Sequence, residues 1–249
     1  MAKKKNISDP AGILVYPFQD ESWLKKIGIA FLLMVLGFIP VIPVVLLLGY
    51  LAEIIKRVVV QREEPSLPDW DNFSVYFSAG FRLFGAGAVY LLPSTLLFGL
   101  GYLGILLPVV FMDGGMYNET VGVALVIIGY LVGFILMGLA AMISIITSMI
   151  LPVAATHLAV NEDFKAAFQF KEIWAIARAN WKGFILAYLI LVGASVILYY
   201  GTYFLAATVI LCCLYPFAFC FMVVYLGLIA AGLFGDAYKT GLENLPVGE

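Results

Sequence analysis

The chain has 249 residues, 63% of them hydrophobic and 12% charged, with a formal net charge of −2 and a mean hydropathy of +1.04. Soluble domains run at about 45–50% apolar and about 25% charged, so this composition leaves too little polar surface to face water on all sides and excludes an ordinary soluble fold. The small net charge leaves no basic footprint for nucleic acid.

Residues 1–26 read as a cytoplasmic N-terminal segment. Lys3, Lys4 and Lys5 resemble a basic leader, but polar and charged residues continue to Lys26, so no cleaved secretory signal is expected. Four stretches then carry no Asp, Glu, Lys or Arg: 27–52, 83–112, 120–161 and 183–235. A spanning helix needs about 20 apolar residues. The stretch 27–52 would measure about 39 Å as a straight helix, yet Gly37, Pro40 and Pro43 interrupt it, and each proline removes a backbone donor. It is either a re-entrant hairpin or a fifth span. Residues 85–111 hold one span. Residues 121–150 hold another, ended by Pro152. The last stretch gives two, 183–200 and 208–234, with Tyr199, Tyr200 and Tyr203 as an interfacial cluster at the turn. Pro216 kinks or delays the final helix, and 236–249 form a cytoplasmic tail. The expected fold is an all-α integral membrane protein of four transmembrane helices, plus a proline-broken N-terminal helix and two amphipathic interfacial helices.

Those two lie at 73–84 and 164–181. In the first, Phe73, Tyr76, Phe77, Gly80, Phe81 and Phe84 follow helical spacing, with Ser74, Ser78 and Arg82 opposite. In the second, Phe170, Ile173, Trp174, Ala177 and Trp181 share a face, with Lys171, Arg178 and Lys182 toward the other side. Aromatic faces flanked by bases suit the headgroup layer, so membrane lipid is the expected partner of both. The alternative is that each forms the first turns of the span that follows.

All fourteen Lys and Arg fall in the N-terminus, residues 56–82, residues 165–182 and the tail. Cytoplasmic loops carry such an excess. A re-entrant first run keeps all fourteen on one side, which favours the hairpin, with both termini cytoplasmic in the cell membrane. The two amphipathic stretches also align: Tyr76 with Trp174, Gly85 with Gly183, Tyr90 with Tyr188. At a second offset Pro43, Glu53 and Lys56 match Pro152, Glu162 and Lys165. A faint internal duplication of this kind is common in membrane proteins.

Several markers carry a resemblance: Tyr16-Pro17, Asp20, Trp23-Leu24-Lys25-Lys26, Gly28, Gly49-Tyr50, and Leu67-Pro68-Asp69-Trp70 with Gly80 after it. Over roughly 14–235 the chain resembles an uncharacterised prokaryotic membrane family, domain of unknown function 4013. That resemblance implies a multi-pass membrane protein and supplies no activity, substrate or site. More loosely, 170–181 is similar to membrane segments attached to some glycerophosphodiester phosphodiesterases, whose catalytic motif is missing here.

The spans hold no ionisable residue of the sort that couples ion transport. Ser144, Thr147 and Ser148 share one helical face and read as helix-packing groups. Cys212, Cys213 and Cys220 are not at zinc spacing and read as packing residues. His157 is the sole histidine and reads as an interfacial polar group. A lipid-active site would have to form from it with Glu162 and Asp163. No catalytic residue, cofactor or metal is therefore expected, and the chain reads as no enzyme. The loop Leu67, Pro68, Asp69, Trp70 and Asp71 reads as a docking loop for a protein partner at the cytoplasmic face, or as the cap of the following helix through Asp69 or Asp71. The leading expectation is a non-enzymatic interaction or membrane-organising module. The alternative is a transporter or permease component for a hydrophobic or lipid-like substrate.

Overall fold

The computed structural model describes residues 10–36, 41–113, 118–208 and 212–245. Among them the chain is helical without a strand. Eight α-helices follow one another: α1 Pro10–Val15, α2 Trp23–Val35, α3 Ile42–Lys56, α4 Phe73–Asp113, α5 Glu119–Asn161, α6 Phe170–Ala179, α7 Trp181–Ala207 and α8 Tyr215–Glu243. Four of these, α4, α5, α7 and α8, are long and apolar enough to cross a membrane, and the chain is an all-α membrane protein.

Several expected boundaries are corrected. The stretch 73–84 is no separate helix but the first turns of the 41-residue α4. Nothing near Gly85 offers a cap or a proline to stop it, and an isolated glycine costs a helix only about 1 kcal/mol. Helix α5 runs through Pro152 to Asn161. One missing donor does not end a membrane helix whose neighbours supply packing, and Val153, Ala154, Thr156 and Leu158 beyond it are buried. Helix α7 continues past Tyr199 and Tyr203 to Ala207, so the turn lies later than the tyrosine cluster suggested. Pro216 sits in the first turn of α8, where its missing N–H is an orphan anyway.

The second amphipathic stretch does stand apart. It resolves into a 3-10 turn, Phe164–Phe168, and helix α6. Asn180 breaks the run with φ −133° and caps α7, its Oδ1 accepting from the Gly183 N–H at 3.3 Å.

The first apolar run forms two helices. Helix α2 has 13 residues, about 20 Å at 1.5 Å each, short of a core of about 30 Å. Helices α2 and α3 touch each other, and both touch α8. The expected bend at Gly37 and Pro40 lies outside the described residues. A π turn, Arg57–Gln61, extends α3 and ends at Arg62 with φ 58°, whose N–H reaches the Arg57 carbonyl.

Two compact units result. The first comprises Met1–Gly85 and Val153–Glu249. Its centre is α8, buried at intervals from Met222 to Gly241 and touched by α1, α2, α3, α6 and α7. The Tyr16 hydroxyl donates to the Leu228 carbonyl at 2.7 Å, and the Tyr225 hydroxyl to the Leu14 carbonyl at 2.9 Å, which ties the N-terminal turns to α8. The second unit, Ala86–Pro152, pairs the rest of α4 with most of α5. A Cβ on Gly101 would lie 2.8 Å from the Gly133 carbonyl oxygen, and one on Gly129 would strike that of Gly104. Small residues let membrane helices approach this closely. Leu92, Leu100, Ile127, Leu131 and Phe134 turn outward.

Two left-handed residues lie close to the aligned segments. Arg62 and Glu162 are both left-handed residues closing a helix, each followed by a turn, an amphipathic helical stretch and a long apolar helix. Glu53 instead lies inside α3 and Lys56 at its end, so their matches with Glu162 and Lys165 are not structural equivalences.

Candidate functional site

The family-like markers of the sequence meet in one place. Asp20 opens a tight turn, its Oδ1 accepting from the N–H and hydroxyl of Ser22 at 2.8 and 2.7 Å. Its Oδ2 accepts from Lys26 Nζ at 2.7 Å. The same ammonium donates to the Leu67 carbonyl at 2.9 Å and pairs with Asp69 Oδ1 at 3.0 Å, so all three of its protons find an oxygen. Lys26 is buried, and a buried cation persists only when paired in this way. Burial alone would weaken both charges. The hydrogen bonds and attraction between them win, holding the Asp20 carboxyl below the usual range and the Lys26 ammonium above its own.

Trp70 closes the arrangement. Its indole N–H donates to the Lys26 carbonyl at 3.0 Å, and its ring stacks on Tyr50. The Tyr50 hydroxyl donates to the Pro68 carbonyl at 3.0 Å, and that of Tyr76 to the Asp69 carbonyl. Tyr76 meets both rings edge-on. The backbones of α3 and α4 pass so close that a Cβ on Gly49 would strike the Tyr76 carbonyl and one on Gly80 that of Val45. Of the expected docking loop, Leu67, Pro68 and Trp70 therefore face inward, Trp70 at 8% exposure. Only Asp69 and Asp71 are exposed. The capping role goes to neither: the Asn72 carbonyl accepts the first bonds of α4, from Val75 and Tyr76.

The expected lipid-facing residues divide into inward and outward arcs. On α4, Tyr76 and Gly80 turn to the core, while Phe73, Phe77, Phe81 and Phe84 are exposed. On α6, Ile173 is buried with Ile176, while Phe170 and Trp174 stay exposed, Trp174 at 69%, as does Trp181 at the start of α7. Lys171, Arg178 and Lys182 are exposed beside them, with Lys182 Nζ 5.8 Å from the Trp181 ring centre. Arg82 turns the other way, its guanidinium donating to the Glu162 carbonyl.

That carbonyl borders an open cavity of about 260 Å³ lined by the end of α3, the first turns of α4 and the end of α5. Lys56 and Glu162 pair across its wall, and the lysine holds the Glu162 carboxyl below its usual range. Sequence reasoning missed this site, although the i, i+4, i+8 stripe of Ser74, Ser78 and Arg82 was its trace.

His157 is buried within the protein. Its Nδ1 lies 2.6 Å from the Tyr238 hydroxyl and its Nε2 3.0 Å from Gln169 Oε1, with Glu172 Oε2 at 3.6 Å. Glu162 and Asp163 turn elsewhere, Asp163 accepting from the Lys165 N–H. Among the described residues no cluster fit to hold a metal ion is found.

The family model described as "Protein of unknown function (DUF4013)" matches residues 32–207 of the 249. No curated protein and no solved structure matches the chain.

Proposed function

The chain belongs to the DUF4013 family, and from that premise we propose that it is a non-enzymatic membrane-organising module that grips the headgroup layer with its cytoplasmic-side helices. One observation carries this reading, the order of arcs around α6. Ile173 and Ile176 face the protein, Phe170 and Trp174 form the next arc, and Arg178 and Lys171 the one beyond. A helix lying in an anionic leaflet needs that order: rings at the acyl boundary, cations against lipid charge, and a third side fixed to its own protein.

The distribution of Lys and Arg supports a cell-membrane location with both termini inside. The Lys26–Leu67 contact supports a re-entrant first run, because a straight helix over 27–52 would separate its ends by about 39 Å. A protein partner at this face would meet Asp69 and Asp71.

The test is the lipid shell of the reconstituted full chain. Spin-labelled phosphatidylglycerol should be held back more than spin-labelled phosphatidylcholine. That preference should fall in a variant carrying Lys171→Gln, Arg178→Gln and Lys182→Gln. Equal retention of both lipids by the wild type would overturn the reading.

A further inference from the structure

The cavity beside Arg82 carries charges of both signs at the edge of an apolar layer. Glu53, Lys56, Ser74, Ser78, Arg82 and Glu162 are among its walls. Lys56 and Glu162 neutralise each other, which leaves Arg82 and Glu53, each with one partner of its own, as the other charges lining the cavity. Arg82 spends one N–H on the Glu162 carbonyl and lines the cavity with the serines of its own helix. Ser74 and Ser78 add hydroxyls along the same stripe of α4. Glu53 is only loosely matched, 3.7 Å from Arg57 Nε.

Position argues for the source of the ligand. Arg82 is the last charge before the uncharged run 83–112, and Glu162 the first after 120–161. The cavity thus opens where the chain leaves its apolar layer, the depth at which phosphates sit. Phe81, 58% exposed, neighbours Arg82 on α4 and offers a surface for an acyl chain. A simple anion would meet the Glu53 carboxylate; a zwitterion turns that repulsion into a contact.

We propose that this cavity binds one zwitterionic phospholipid headgroup of the phosphoethanolamine class, its phosphate against Arg82 and Ser78 and its ammonium against Glu53. The site is separate from the basic arc of α6, and it selects a headgroup where that arc responds to net charge.

Thermal melts of the delipidated full chain in detergent test it, with dihexanoyl-phosphatidylethanolamine as the probe. The wild type should show saturable stabilisation. Arg82→Gln and Ser78→Val should each need about tenfold more lipid, the worth of one hydrogen bond to a charged group. Glu53→Gln should lose the preference over dihexanoyl-phosphatidylglycerol. Equal stabilisation of the wild type by the glycerol lipid, the same midpoint with soluble glycerophosphoethanolamine, or no saturable response would each overturn the proposal. Should Arg82→Gln fail to fold without its bond to Glu162, Ser78→Val decides, since its hydroxyl is exposed in the cavity wall. An unchanged midpoint in Ser78→Val then counts against the site.

Discussion

The indole of Trp70 lies flat on the ring of Tyr50, centroids 4.1 Å apart and planes 3° from parallel. The stack joins the end of α3 to the loop before α4, and the Trp70 N–H extends the join to α2 through Lys26. Trp70→Ala should therefore cost about 3–5 kcal/mol of stability. Trp70→Phe keeps a stacked ring and loses the hydrogen bond, about 1 kcal/mol. Thermal unfolding in detergent, followed by circular dichroism, should rank wild type above Phe above Ala. A residue that served docking alone would leave all three melting together.

The Lys26 cluster sets the response to pH. Asp20 titrates lower in the folded chain than its ordinary value, so its contribution is present above the unfolded pKa and is lost as pH falls through the folded one. Lys26 titrates higher when folded, so its contribution holds below its unfolded pKa and is lost as pH rises past the folded value. Melting temperature should be flat near neutrality and fall below about pH 4 and above about pH 10.5. Asp20→Asn should melt lower at neutral pH and show a shallower acid limb.

Glycine substitutions should separate by what a methyl group meets. Gly80→Ala drives a Cβ into the Val45 carbonyl, whereas a Cβ on Gly28 meets nothing within 4 Å. Gly80→Ala should destabilise by about 1–3 kcal/mol or more through overpacking. Gly28→Ala should be neutral or gain up to about 1 kcal/mol of helix propensity. The yield of monodisperse protein on size exclusion reads the contrast.

His157 and Tyr238 form a testable pair. His157→Leu leaves the buried Tyr238 hydroxyl without its partner and should cost about 1–3 kcal/mol. Adding Tyr238→Phe removes the stranded group, so the double variant should lose less than the two single losses together. Strict additivity in the four melting curves would deny the coupling.

Single cysteines at Ser22, Ser66, Asn118 and Glu243, on a cysteine-free background, test the topology. Position 118 alone should react from outside intact cells, and the other three from inverted vesicles. Labelling of Ser22 from outside would make the first run a true span.

Much of this architecture was written in the spacing of charges. Runs without a charge located all four long helices, because a buried unpaired charge is too costly inside an apolar layer. What periodicity could not tell was which part of an apolar arc faces protein and which faces lipid. Both surroundings are apolar, so Tyr76 and Phe77 look alike in the sequence, yet one is buried and the other exposed. Pro152 misled for a related reason: a break that water would exploit is tolerated where neighbouring helices hold the backbone. The Lys26 lock was hidden because Asp20, Lys26 and Asp69 are brought together by the return of the chain, and helical spacing reports only neighbours one turn away.

The place of α8 has a consequence in time. The Tyr16 hydroxyl bonds to Leu228, 212 positions further on, and α2, α3 and α7 all lean on the same late helix. A ribosome releases the early helices long before their support exists, so Ala30, Val45 and Ile54, fully buried in the folded chain, wait for α8 to emerge. Contacts this distant close slowly, and the first unit is complete only once α8 has been made. Chains abandoned before α8 emerges would carry open apolar faces that membrane proteases can distinguish from the finished protein.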